Sequence, residues 1–152
     1  MTDGWRLDPA TQSTLPAWRR MRQALWPEMK EEENTSETQA LMDKADTFIR
    51  VAWSADDRPV GFAEAALRVD CVNGCVTSPV AFLEGIYVEP WARRQGVARV
   101  LVEAVEAWAR EKGCSELASD ALLENAESHR MHAGLGFEET ERVVYFRKEL
   151  VH

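Results

Sequence analysis

Three consecutive segments constrain this chain more than any others: the apolar run Phe82–Val88, the basic turn Arg93-Arg94-Gln95-Gly96-Val97-Ala98 and the amphipathic run Gly96–Lys112. In the amphipathic run, Val97, Val100, Leu101, Ala104, Val105 and Trp108 recur at helical spacing, with Glu103, Glu106 and Arg110 on the other side. Lys112-Gly113 is a stop signal, and a second strand is expected near Glu116–Asp120. Strand, crossover helix and strand within one sheet demand a parallel pair joined with right-handed chirality. The turn also has a chemical reading. The first N–H groups of a helix have no intrahelical partner, so a basic, glycine-bearing turn at a helix start suits a phosphate-bearing cofactor. Gly-x-Gly-x-x-Gly and Gly-Lys-Ser/Thr are both absent, which excludes a dinucleotide fingerprint and a P-loop.

The chain's 152 residues, 45% of them hydrophobic, support one core of ordinary size and a single domain over residues 1–152. A formal net charge of −8 argues against nucleic acid as a partner and suits cationic small molecules. No apolar stretch is long enough to span a bilayer, and Thr2, Asp3, Trp5, Arg6 and Asp8 do not make a signal peptide, so a cytoplasmic protein with no membrane partner is expected. Cys71, Cys75 and Cys114 fit a reducing compartment rather than a disulfide framework. Cys71 and Cys75 bracket Asn73-Gly74, a hairpin-turn signal; with no second pair at ligand spacing, no metal is expected. His129 and His132 read as solvated or locally bonded.

A strand near Trp5–Leu7 precedes a helix over Thr14–Leu25, whose inner face is Leu15, Trp18, Met21, Arg22 and Leu25 and which Pro27 ends. The acidic stretch Pro27–Thr38 follows, with Ser36 read as the N-cap of a helix to Lys44. Strands are expected at Phe48–Trp53 and Val60–Val69, with a turn at Ala55–Arg58 between them. Within the second strand, Ala63, Ala65, Leu67 and Val69 alternate with Glu64, Arg68 and Asp70, the mark of a half-exposed face. After Val80–Val88 and the crossover unit, a helix at Asn125–Ala133 ends at Gly134-Leu135-Gly136, and strands at Phe137–Glu141 and Val143–Lys148 close the chain.

Arg93-x-x-Gly96-x-Ala98 resembles the Arg/Gln-x-x-Gly-x-Gly/Ala signature of the GNAT N-acetyltransferase superfamily. More narrowly, Leu25-Trp26-Pro27, Val72-Asn73-Gly74-Cys75, Ser78-Pro79-Val80, Phe82-Leu83-Glu84-Gly85-Ile86, Ala118-Ser119-Asp120 and Gly136–Val143 make nearly the whole chain similar to the chromosomal-type aminoglycoside 6'-N-acetyltransferases. The resemblance implies an α/β fold with a mixed, mostly antiparallel sheet, splayed at an acetyl-CoA site, with helices on both faces. It implies a homodimer. Acetyl-CoA would lay its pyrophosphate on the backbone of Arg94, Gln95, Gly96, Val97, Ala98 and Arg99, run its pantetheine beside Ile86, Tyr87 and Val88, and meet Asn125, which also reads as an N-cap. The acceptor, a cationic aminoglycoside, would meet Trp26, Glu84, Asp120 and Glu141. Cys71 stands where close relatives carry tyrosine, which removes a ring and a hydroxyl from the expected acceptor wall.

The expected chemistry is direct acetyl transfer in a ternary complex, with Glu84 taking the amine proton itself or through water, and Asp120 as the second candidate. A backbone N–H near Ile86–Val88 would meet the oxyanion. The helix at Asn125–Ala133 has no tyrosine to protonate the leaving thiolate, which leaves Tyr145 or solvent. A structural salt bridge is the alternative role of Glu84. Other small amines, a protein N-terminus, or a non-catalytic acyl-CoA-binding module are the alternative functions.

Overall fold

The computed structural model describes residues 4–151. In chain order the elements are β1 (Arg6–Pro9), α1 (Leu15–Leu25), α2 (Glu31–Asp43), β2 (Thr47–Trp53), β3 (Pro59–Arg68), β4 (Val80–Val88), α3 (Val97–Glu111), β5 (Leu117–Ser119) and α4 (Ala126–Gly134). The chain divides after Asp120 into two compact units. In the N-terminal unit the sheet runs β1-β2-β3-β4-β5. The first three pairings are antiparallel and β4/β5 is parallel, as the crossover through α3 requires.

Strand alternation sends side chains to two differently covered faces. Ile49, Val51 and Phe62 join Leu15, Trp18 and Met21 of α1 in one buried cluster. On the opposite side of β2, Phe48 stacks on Trp108 of α3 with ring centroids 5.4 Å apart. Helices therefore cover both faces. Val97, Leu101, Val102, Val105, Trp108 and Ala109 make the buried stripe of α3, close to its apolar periodicity.

The face carrying Glu64 is not half-exposed. Glu64 is only 4% exposed because α1 lies over it and supplies two donors: Trp18 Nε1 at 2.9 Å and Arg22 Nε at 2.6 Å, both to Oε2. Arg22 is itself buried and spends its other nitrogens on Asn34 Oδ1 and Glu37 Oε1, each at 2.9 Å. Burial pushes the Glu64 carboxyl upward, and the guanidinium and indole N–H aimed at it oppose that shift.

Helix α2 begins at Glu31, five residues before the expected N-cap at Ser36. Its inward face is polar: Asn34 and Thr38 are buried and bond Arg19 and Arg22 of α1, so apolar periodicity does not reveal it. Glu31, Glu32 and Glu33 form the first turn, where negative charge complements the helix dipole, and Glu33 accepts the Lys30 N–H at 3.2 Å.

In the C-terminal unit, Asn125 caps α4 by accepting the Ser128 N–H at 3.1 Å. The helix ends in a Schellman arrangement: Gly136 adopts φ 93°, its N–H reaches the Ala133 carbonyl at 3.1 Å, and Phe137 N–H reaches that of His132 at 3.0 Å. Residues 138–151 carry neither helix nor strand, so the strands expected at Phe137–Glu141 and Val143–Lys148 do not form. A strand exists only where a neighbouring edge completes its backbone hydrogen bonds, and this segment has no such ladder.

Glu64→Ala leaves the buried Arg22 guanidinium without its main counter-ion and should cost about 3–5 kcal/mol in urea unfolding. Pairing Glu64→Leu with Arg22→Met should recover most of that loss.

Candidate active site

The carboxylate that interrupts β4 owes its position to a register shift. Gly85 pairs with Glu64 and Leu83 with Ala65, so Glu84 is an extra residue with no partner on β3. The bulge lifts Glu84 out of a strand whose first four residues, Val80–Leu83, are fully buried. It also resets the alternation, so Gly85 and Tyr87 lie opposite Glu64 and Phe62 on the α1 face. Trp26, the residue that closes α1, lays its indole on Gly85. A Cβ built there would sit 2.7 Å from Trp26 Cη2, so only glycine permits the approach. The indole is held on its other sides by Phe62, edge-on at 6.3 Å, and by the Arg22 guanidinium 5.1 Å from the ring centroid.

Glu84 is not a buried, unpaired carboxylate. It is half-exposed, and both its oxygens accept from Arg68 Nη2, at 2.9 and 3.1 Å. The Arg68 guanidinium lies 3.6 Å from the centroid of the Phe82 ring. Arg68 and Gly85 are parts of the site that sequence reading passed over. A glycine directly after a lone carboxylate in an apolar strand is the signal for the bulge. The partner on β3 had no local signal, because its contact depends on the register that the bulge creates.

The sheet forks at this level. β5 pairs only with Ala81, Phe82 and Leu83, so within the N-terminal unit the β5-side edge of Glu84–Val88 carries no strand. Asp120 follows directly after β5, the strand beside β4, and is exposed one residue past the Leu83–Ser119 pair. Beyond Val88, a single 3-10 turn at Pro90–Ala92 leads into the basic turn, where Arg94 and Gly96 adopt left-handed φ values of 64° and 89°. The first helical hydrogen bond of α3 runs from Val100 N–H to Gly96 O at 3.1 Å. The N–H groups of Val97 and Ala98 precede it, and Gly96 has no side chain to cap them. Arg93, Arg94 and Arg99 surround this turn and are exposed. The edge and the turn together offer an extended chain a strand to pair with and an anion a place to end.

Cys71 is exposed and lines a cavity of about 450 Å³ bounded by residues 67–72. The turn after it is closed by Cys75 N–H to Val72 O at 3.0 Å, and both thiols are free. Glu116 pins the next residues by accepting the N–H groups of Val76 and Thr77 at 3.0 and 2.8 Å. In the C-terminal unit, Glu141 is exposed, Tyr145 is exposed, and His132 is bonded locally to Ser128 O at 2.7 Å.

The model of the acetyltransferase (GNAT) family matches residues 16–137. An aminoglycoside N(6')-acetyltransferase type 1 from Serratia marcescens is 51% identical over 136 residues, 90% of this chain and 93% of that protein. Among solved structures, the aminoglycoside antibiotic 6'-N-acetyltransferase AAC(6')-Ih from Acinetobacter baumannii superposes with TM-score 0.91 at 44% identity, covering 97% of this chain and 99% of that one. AAC(6')-Iy, solved in complex with the bisubstrate analog CoA-S-monomethyl-acetylneamine, superposes with TM-score 0.91 at 40% identity, covering 96% and 99%.

Gly85→Ala forces the Trp26 ring off the strand. It should destabilise the protein by about 1–3 kcal/mol in chemical unfolding and change the near-UV circular dichroism of the indole. An unperturbed spectrum would contradict the packing.

Proposed function

Since the chain belongs to the acetyltransferase (GNAT) family, we propose that it transfers acetyl from acetyl-CoA to the 6'-amino group of aminoglycosides, and thereby confers resistance to them. One observation carries this reading: the β4 bulge takes Glu84 out of the ladder at the fork of the sheet, next in the chain to Gly85 on which Trp26 rests and directly before the open edge that leads to the basic turn. A carboxylate and an aromatic ring are what a polycationic sugar needs, and an open edge ending at a helix start is what a pantetheine pyrophosphate needs.

Acetyl-CoA lies along Ile86, Tyr87 and Val88, with its pyrophosphate on the amides of Arg94–Arg99; Asn125, besides capping α4, is its further contact. The acceptor meets Trp26, Cys71, Glu84, Asp120 and Glu141. Its 6'-nitrogen gives up a proton to Glu84, directly or through water, with Asp120 as the second base. The neutral nitrogen then bonds to the acetyl carbon, and as the adduct collapses to the amide the C–S bond breaks and the nitrogen sheds its second proton to solvent. A backbone N–H from Ile86–Val88 holds the oxyanion. CoA leaves as the thiolate and takes a proton from solvent or from Tyr145. The enzyme acts as a cytoplasmic homodimer. Val144 and Phe146, 76% and 92% exposed in the C-terminal unit, supply the apolar area such an association buries.

Purified protein with acetyl-CoA should release CoA thiol with kanamycin and not with its 6'-hydroxyl analogue; acetyl-CoA binding without turnover on any aminoglycoside would overturn the reading. Glu84→Gln should lower kcat by about a hundred- to ten-thousand-fold and leave acetyl-CoA affinity intact. Equal losses of both would make Glu84 structural. Light scattering should give twice the chain mass, and Phe146→Asp should reduce it to that of one chain.

A further inference from the structure

Arg68 is absorbed neither by the cofactor site nor by the acceptor contacts, yet it holds the carboxylate that the acceptor is read to meet. Its Nη2 engages both oxygens of Glu84, at 2.9 and 3.1 Å, and its guanidinium rests on Phe82, 3.6 Å from the ring centroid. The three side chains form a row along the β3/β4 hairpin. Ala66 pairs with Phe82 and Arg68 with Val80, so a long side chain from position 68 reaches diagonally over the ring to the bulge. The carboxylate read as the seat of the acceptor amine is thus already occupied by a cation. We infer that Arg68 is a resident stand-in for the substrate ammonium, displaced one-for-one when the acceptor binds, and that this exchange sets how many charges an acceptor must bring.

The energetics suit an exchange rather than a permanent tie. The Arg68 and Glu84 side chains are 44% and 36% exposed, and an ion pair that open to solvent contributes at most about 1 kcal/mol. The contrast is the pair between Arg22 of α1 and Glu64 of β3, whose side chains are 4% and 6% exposed and which no ligand can prise apart without leaving a buried charge. Phe82 supplies what keeps the released guanidinium nearby, since contact with a ring face does not depend on Glu84. Arg68 also borders the 450 Å³ cavity of residues 67–72, which gives the side chain open space beside its resting position. A monoamine that replaces Arg68 exchanges one cation for another and gains little. A polyamine makes the same exchange and has further ammonium groups for other carboxylates, so the resident arginine selects against acceptors with a single charge.

The inference rests on Glu84 as the acceptor's contact, and the test separates the two. Kanamycin and the monoamine 6-amino-6-deoxyglucose would be titrated calorimetrically into the CoA-loaded enzyme and into Arg68→Gln, Arg68→Lys, Glu84→Gln and the Arg68→Gln/Glu84→Gln double variant. Arg68→Gln should tighten the monoamine by up to about five-fold, the equivalent of the exposed pair it removes. Arg68→Lys should restore weak binding, and in the Glu84→Gln background Arg68→Gln should have no effect. A merely structural arginine could only weaken binding or lower Tm. Unchanged or weaker monoamine binding in Arg68→Gln, or the same tightening with Glu84 absent, would overturn the exchange. If Glu84→Gln binds kanamycin as well as the unsubstituted enzyme, it is the reading of Glu84 that fails, and the exchange falls with it.

Discussion

A β-strand can present a side chain to one face or the other, but a central strand packed on both faces has no position for a charge that must meet solvent and ligand. The proposed site follows from how β4 escapes that constraint. One residue more on β4 than on β3 puts Glu84 outside the ladder and turns Gly85 toward α1. The same level is where β5 stops pairing, so carboxylate, aromatic wall and open edge meet at a single point of the backbone. A regular ladder would have put residue 84 opposite Glu64, on the face that α1 covers.

Two arginine–carboxylate pairs flank the bulge and differ in what they are for. Arg22 and Glu64 are sealed under α1 with Trp18 and Asn34, and their satisfied hydrogen bonds fix α1, α2 and the Trp26 ring against the sheet. Arg68 and Glu84 lie where water reaches them. Low dielectric and full satisfaction make the first pair a structural joint, and exposure makes the second exchangeable. Chemically alike pairs a few residues apart thus serve opposite ends because of burial alone.

Where side chains repeat with a clear period, the architecture was legible in the chain. β4 and α3 were readable within a residue or so, as were α1 and the parallel crossover. Helix α2 was legible only from Ser36 onward and its start at Glu31 was missed, because Asn34 and Thr38 face inward and a polar face has no apolar stripe. The C-terminal strands were over-read: Val143–Lys148 has a strand's composition, but pairing is a property of two segments and cannot be seen in one. The site was divided in the same way. The basic turn, Glu84 and Asp120 are marked locally, by a glycine, a lone charge in an apolar run and a strand end, whereas Trp26 and Glu141 came from the family resemblance alone. Arg68 was hidden, since its contact with Glu84 depends on a cross-strand register that is itself shifted.

The bulge has a consequence for how such a protein arises and diversifies. With residue 84 removed, Leu83 and Gly85 would stand consecutively opposite Ala65 and Glu64, which is an unbroken antiparallel ladder with every remaining side chain on its present face. The ladder is therefore complete without Glu84. A single inserted codon separates a regular sheet from one with a charged group at its fork. Because the rest of the strand keeps its packing either way, selection can act on that one position without renegotiating the core.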